Sequence, residues 1–446
     1  MFKTIRNAWK VEELRKKLIF TLFVVIVFRI GSVIPVPFLD AQGLKAMMSG
    51  LDESGSFFGF VNMLSGGAFA HGTLFALSIQ PYINASIIMQ LMTVVIPALE
   101  RMQKEGEEGR KKMGAITRVL TVFIGILQST MFYLWLRNNG HITMYNDGFE
   151  GIFSAITIIL VLTAGTALIM WLGEQINVKG VGNGISILLF AGIVARMPTL
   201  IATLWGYLSL AIANPTQNML GRENWYFYIF VPLFLVLFLS VMWFIVFMND
   251  AERRIPIQYA KRVVGRKMYG GQSTHIPVKV SGSGVMPVIF AQSILSLPSA
   301  VQTVMGSKSP DFIKSINSAF SPTGWIYPTI YFLFILFFAY FYLAIQYNPI
   351  EMANNLRQSS GTIPGIRPGK PTSDYIAKVL SKITLMGAMF LGIIAILPFI
   401  FSDITYMHNT TFLGGTSVII MVGVALETVK QIESQMMMRH YKGFLD

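Results

Sequence analysis

The sequence predicts an all-α polytopic membrane protein, and three observations carry that prediction. Of 446 residues, 53% are hydrophobic and only 13% are charged, where soluble proteins carry about 25% charged residues. A water-soluble globule could not cover so much apolar surface. Ten apolar runs are about 20 residues long, the length whose 1.5 Å rise per residue crosses a ~30 Å hydrocarbon layer. Between them the density of Lys and Arg alternates from loop to loop, as the positive-inside rule requires of a chain that crosses repeatedly.

The ten runs fall near 18–36, 73–98, 114–136, 151–173, 184–205, 226–248, 284–304, 326–346, 380–401 and 413–429. The second and fifth contain small or polar residues, so their ends are the least defined. Of the 35 basic residues, 28 lie in the two tails and alternate loops on one side, five lie on the other, and Arg29 and Arg196 sit inside runs. That division fits an even number of spans with both termini in the cytosol. The first run lacks a small-residue cleavage site after a short apolar core and reads as a retained span.

Composition and spacing exclude several chemistries. Cysteine is absent, which removes disulfides, thiolate metal sites, iron–sulfur clusters and cysteine nucleophiles. The five histidines are scattered without metal-ligand spacing. Gly365-Ile366-Arg367-Pro368-Gly369-Lys370 has three residues between its glycines where a phosphate loop needs four, and Gly180-Val181-Gly182-Asn183-Gly184 has no strand before it, so both read as turns. No cofactor is implied. Ion-coupled carriers keep an ionisable group near the bilayer midplane; here only Glu174 and Glu427 touch a run, each at an end. Arg29 is the one deep charge, either snorkelling towards the outer face or paired with another helix.

Ten runs divide into five plus five, and an odd number per half requires any internal repeat to be inverted across the membrane. The second run of each half carries a proline near its start, Pro81 and Pro287, where proline is tolerated. Asn84, Ser86 and Gln90 on run two and Gln292 and Ser293 on run seven are polar. They would be either ordinary interhelical glue or a seam held by hydrogen bonds worth ~0.6–2 kcal/mol each, weak enough to open. Ahead of run two, Phe57 to Ala68 is apolar, too short to span and ends in glycines; it reads as a re-entrant piece, an interfacial helix or a loop. The loops 249–283 and 347–379 are long, basic and rich in turn residues. They would dock a large acidic partner such as a ribosome's RNA, or merely set topology and meet anionic lipid.

Eight stretches then run in order along the whole chain: Phe28-Arg29-Ile30-Gly31 with Ile34-Pro35-Val36-Pro37, Pro81-Tyr82-Ile83-Asn84-Ala85-Ser86-Ile87-Ile88, Trp171-Leu172-Gly173-Glu174-Gln175-Ile176, Gly182-Asn183-Gly184-Ile185-Ser186, Tyr259-Ala260-Lys261-Arg262, Gln272-Ser273-Thr274-His275, Pro364-Gly365-Ile366-Arg367-Pro368-Gly369 and Gly414-Gly415-Thr416-Ser417. On these the chain resembles the SecY family of bacterial protein-translocation channels. The resemblance implies ten transmembrane helices in two inverted five-helix halves, 1–205 and 206–446, around a central hourglass pore. Unfolded secretory polypeptides would cross it and apolar segments would leave sideways into lipid.

The family's pore ring would fall on Ile79, Ile83, Ile185, Leu189, Ile289 and Ile420; a narrow apolar constriction dewets and so resists ions. Leu189 replaces the isoleucine common there. The plug would be the re-entrant piece at about 57–70, with Phe60, Asn62, Leu64, Ser65, Gly66 and Gly67. The lateral gate, where signal sequences would bind, would be the seam between runs two and seven, with Asn84, Ser86, Gln90, Gln292 and Ser293. Arg262, Arg266, Lys267 and Arg367 would engage the SecA motor ATPase or the ribosome, through its RNA or proteins. SecE and SecG subunits and membrane lipids are the implied companions, the bacterial cytoplasmic (inner) membrane is the implied location, and no enzyme activity is implied. The competing reading is a secondary transporter of a small solute, since five-plus-five repeats occur there too. A membrane enzyme has no residue constellation behind it.

Overall fold

The computed structural model describes residues 2–49, 57–143, 148–213, 224–259, 262–264, 267–269, 273–282, 284–305, 310–312, 326–405 and 415–442. Helices dominate because backbone polar groups in lipid must be satisfied within their own segment. In chain order they are α1 (Phe2–Lys10), α2 (Glu12–Gly31), α3 (Ala41–Ser49), α4 (Phe57–Leu64), α5 (Gln80–Val95), α6 (Pro97–Lys104), α7 (Glu107–Asn138), α8 (Phe149–Lys179) and α9 (Gly184–Val194). There follow α10 (Met197–Ala213), α11 (Phe227–Asp250), α12 (Met286–Leu295), α13 (Leu297–Met305), α14 (Ile326–Gln346), α15 (Pro349–Gln358), α16 (Lys370–Thr405) and α17 (Gly415–Lys442).

Each of the ten apolar runs contains helix, but among the described residues only seven helical segments are long and apolar enough to cross a membrane alone, or eight if the bent pair α5 and α6 is one span. The shortfall has physical causes. Run one is α2, whose 20 residues include Glu12, Glu13, Arg15, Lys16, Lys17 and Arg29. Run two begins as helix only at Gln80; residues 74–79 are apolar but form turns, with Ser78 at φ +51°. Pro97 then lacks the N–H that would continue α5, and the chain bends by 102° into α6. Run seven is divided between α12 and α13, and its apolar helical part, Met286–Ser299, is too short to cross alone.

The largest core runs from Val24 and Phe28 of α2 through Ile169 and Leu188 to Ile335, Leu391 and Ile419, and a second gathers Phe69 with Phe132, Trp135 and Leu136 of α7 and Ile158 and Leu162 of α8. α7 packs on α5 and α8, α14 on α12 and α16, and α17 on α9 and α11. Close approach requires small residues: a Cβ on Gly184 of α9 would strike the Gly173 carbonyl of α8, and one on Gly415 would strike the Ile394 carbonyl of α16. α11 leaves large apolar side chains such as Leu239, Trp243 and Phe247 uncovered, as lipid contact demands.

The two long basic loops differ from the sequence expectation of turn-rich chain. Strands β1 (Glu252–Tyr259), β2 (Arg262–Val264), β3 (Lys267–Tyr269), β4 (Ser273–Lys279) and β5 (Gly361–Thr362) form two small antiparallel sheets, ordered β4-β1-β5 and β2-β3. β5 belongs to the second loop and pairs with the end of β1, Gln258 opposite Thr362 and Tyr259 opposite Gly361. Ile255, Ile257 and Val278 of the sheet bury against Leu356 of α15 and Ile376 and Leu380 of α16. The loops are thus a single folded platform with its own apolar core.

Replacing Gly184 with Val should force α8 and α9 apart and cost ~1–3 kcal/mol of packing. Gly206→Ala on α10, where an added Cβ meets nothing within 4 Å, should leave the melting temperature in detergent unchanged or higher. Thermal unfolding of the two variants side by side checks both.

Candidate functional site

A cavity of about 810 Å³ lies between α5, α9, α12 and α17. Its lining is graded. Along α17 it passes from Ile420 through Val424 to Glu427, Lys430, Gln431 and Ser434, ~21 Å of helix axis. On α5 it passes from Ile83 to Ser86 and Gln90, and on α14 from Tyr342 to Gln346. α9, which runs the other way, begins at Asn183 and reaches Leu189. Each wall therefore has its polar end on the same side, the side of Asn249 and Lys279 and of the basic platform.

Local sequence builds each wall. α9 starts where Gly182, at φ +85°, turns the chain. Asn183 Oδ1 accepts from the Ile185 and Ser186 amides at 3.2 and 3.4 Å, and Asn177 Oδ1 accepts from the Gly184 amide at 2.7 Å. Those bonds satisfy the amides that open a helix and aim Ile185 and Leu189 into the cavity. Pro81 and Pro287 occupy the first turns of α5 and α12, where a missing N–H costs nothing.

Five of the six sequence-predicted ring residues come together here: Ile83, Ile185, Leu189, Ile289 and Ile420 line the apolar end. All but the half-buried Ile185 are buried. Ile79 does not line the cavity. It is buried and stands at the N-cap of α5, its carbonyl accepting the first helical hydrogen bond from the Ile83 amide at 3.0 Å.

The predicted plug is the short helix α4 with the turns that follow. Phe60 and Leu64 lie on α4, and Leu64 and Ser65 are fully buried. Asn62, also buried, organises the turn: its Oδ1 accepts from the Ala70 amide at 3.1 Å and its carbonyl accepts from the Gly67 amide at 3.0 Å. Ser65 Oγ donates to the Asn62 carbonyl and accepts from the Phe69 amide, both at 3.1 Å. Gly66 and Gly67 adopt φ of +67° and +90°, where a side chain would be strained. A Cβ on Gly66 would come within 2.6 Å of the Gly192 carbonyl of α9 and 3.1 Å of Arg29 Nη1. Arg29 Nη1 is buried with no hydrogen-bond partner among the described residues, so the deep arginine turns inwards beside this turn.

The predicted seam residues divide. Ser86 and Gln90 line the cavity. Asn84 Oδ1 accepts from Gln80 Nε2 of its own helix at 3.4 Å. Gln292 does not line the cavity. It faces α14, where its Nε2 donates to Tyr327 Oη at 3.1 Å. Ser293 Oγ and Gln90 Oε1 are buried without a partner among the described residues. Tyr327 and Tyr331 were not foreseen from the sequence; their signal was a pair of phenols one helical turn apart in an otherwise apolar run.

On the platform Arg367 is exposed, on a turn between Gly365 at φ +80° and Gly369 at φ +104°. The Arg367 carbonyl accepts from Thr372 Oγ1 at 2.9 Å, so this glycine-rich segment is a helix-leading turn. Arg262 opens β2 and Lys267 opens β3, with Lys267 opposite Val264; Arg266 lies outside the described residues. Arg118 pairs with Glu174 and Lys430 with Asp250, each at 2.6 Å. Among the described residues no three His, Asp or Glu side chains gather so as to hold a metal ion.

A SecY family model matches residues 73–429. The chain belongs to the SecY family. Family members named protein translocase subunit SecY, from Streptomyces scabiei and Halalkalibacterium halodurans, are 43% and 44% identical to it, with the whole of each chain covered. Among solved structures, a SecY whose plug domain is described as stabilizing the closed state and maintaining a membrane seal superposes with TM-score 0.63 at 19% identity. It covers 94% of this chain and 92% of its own. Sec61 in a canine ribosome–channel complex gives 0.59 at 17%, with the same coverage. Both neighbours are described as channels, and this chain shares their fold.

Asn62→Leu should leave the Ala70 amide without its acceptor and destabilise the plug turn by ~1–3 kcal/mol. Faster hydrogen exchange at Ala70, with no change in the amides of α14, is the expected result.

Proposed function

We infer that the chain is a protein-conducting channel, through which unfolded polypeptides cross a membrane, with no covalent chemistry of its own. The observation that carries this is the graded cavity. It is polar towards the basic platform and apolar where Ile83, Ile185, Leu189, Ile289 and Ile420 line it. A translocating chain presents every kind of side chain, so a passage for it needs walls without a specific binding pocket. A small-solute carrier, by contrast, places charged or hydrogen-bonding groups where this cavity places isoleucine. Branched aliphatic side chains at the apolar end exclude water and ions yet move aside by rotamer changes when a chain enters. The plug, packed on Gly192 of α9, lies against the same wall.

In this reading residues 1–205 and 206–446 are two inverted halves of five spans. The seam between α5 and α12 is the lateral gate by which apolar segments pass into lipid and at which signal sequences bind. The platform, with Arg262, Arg266, Lys267 and Arg367, docks the SecA motor or the ribosome, the source of driving force that the chain itself lacks. A ribosome partner draws support from the canine neighbour, which is a ribosome–channel complex. SecE and SecG would flank the bundle in lipid. The basic face, with both termini, would lie in the cytosol and the spans in the bacterial inner membrane.

The test places a photo-crosslinker at Ile289 and, as control, at lipid-facing Leu239, and supplies a stalled secretory chain on its ribosome. Crosslinks to the chain at Ile289 alone are expected. Their absence in a docked complex would favour the small-solute carrier. The double variant Ile83→Gly with Ile289→Gly should raise resting ion conductance in planar bilayers tenfold or more, because a wetted constriction no longer excludes ions. Arg367→Glu should weaken binding of the motor or ribosome with little effect on the resting seal, read by co-sedimentation with membranes and by the same conductance assay.

A further inference from the structure

We propose that Gln292 is a positioning residue that locks α12 to α14, so that the seam opens between α5 and α12 and at a joint at Ser296, and never between α12 and α14. This deepens the channel reading and rests on it. Gln292 and Tyr327 are 5% and 1% exposed. The amide Nε2 donates to the phenol oxygen at 3.1 Å, and the phenol is placed to donate back to Oε1 at 3.4 Å. Separating the two in an apolar interior would leave both unsatisfied, which is the expensive way to lose a hydrogen bond. One turn along α14, Tyr331 Oη shares a hydrogen bond of 3.1 Å with Thr416 Oγ1 of α17. A buried pair and a part-buried pair on one helix thereby tie α12, α14 and α17 into one body.

The other side of α12 is built differently. Ser293, one turn beyond Ile289 on the cavity-facing side, has a buried hydroxyl without a partner among the described residues, and so does the Gln90 amide oxygen of α5 across the cavity. Among the described residues no side-chain hydrogen bond joins these two helices. Beyond Ser296 the chain changes allegiance, for α13 packs on α4 and α7 of the other half. Ser296 closes α12 by donating its hydroxyl to the Ser293 carbonyl at 2.8 Å, and Pro298 follows. A helix whose two parts belong to two bodies must flex where its hydrogen-bond ladder is interrupted.

The chain has no cysteines, so spin labels attach only where cysteine is introduced. One pair joins α12 to α14 at half-buried Ile294 and exposed Leu333; the other joins α5 to α14 at exposed Val94 and Leu333. Distances are measured by double electron–electron resonance in the resting channel and with a stalled secretory chain engaged, after crosslinking at Ile289 has verified the chain's path. With the lock intact, the Ile294–Leu333 distance should stay fixed on engagement while Val94–Leu333 shifts by more than ~2 Å. In Tyr327→Phe, and in Gln292→Leu with Tyr327→Phe, which removes both polar groups and should fold even if Gln292→Leu alone does not, Ile294–Leu333 should become state-dependent. Melting temperature, followed in parallel, separates that change from general loosening. An Ile294–Leu333 shift as large as that of Val94–Leu333 in the intact protein would overturn the proposal, as would a distance still insensitive to engagement in the double variant. Loss of the crosslink at Ile289 would instead bring down the channel reading itself, and the lock with it.

Discussion

Every backbone polar group at membrane depth needs a partner, and in hydrocarbon only a helix supplies one from within its own segment. Among the described residues, three departures from helix lie where protein takes over that duty. The buried turns at 65–79 are stitched by Asn62, Ser65, Ser78 and Thr73 to neighbouring carbonyls and amides. The turn into α9 is satisfied by Asn177 and Asn183. The break within run seven is closed by Ser296. The first two border the cavity or the short helix α4 that packs on α9. Irregular backbone is tolerated at these places because protein lines them.

Charge follows a related rule. The ion pairs Arg118–Glu174 and Lys430–Asp250 sit at helix ends, where water screens them and each is worth little. Deeper in, polarity is carried mostly by neutral amides and hydroxyls. Arg29 is an exception, and it is held beside the backbone of Gly66 and Gly192, turned away from lipid. A gradient of this kind lets a passage accept side chains of either sign at its mouth while keeping a low-dielectric barrier at its waist.

Hydropathy and basic-loop alternation made the helical runs legible, since lipid selects for both over long windows. Boundaries were less so: residues 74–79 are as apolar as a lipid-facing helix, and composition cannot distinguish burial in protein from burial in lipid. Ile79, expected in the pore ring, is found at a helix cap. The sheet was missed although its period-2 pattern was present, with Ile255 and Ile257 alternating with polar residues; short strands among prolines and cations read as turns. Its pairing with β5, about a hundred residues away, carries no local signal. Gln292 and Ser293 were read as one seam, but neighbouring positions on a helix point about 100° apart. Which of the two faces a partner was decided by Tyr327.

The union of β1 with β5 also has a mechanical side. α16 begins inside the platform, with Ile376 and Leu380 in its apolar core, and continues as helix to Thr405 with Pro398 inside its last turns, a length of ~54 Å. Near its far end the Phe401 ring lies tilted 5.5 Å from that of Phe234 of α11. A load placed on either loop is therefore borne by both, and is delivered as tilt along one long helix to the opposite side of the bundle.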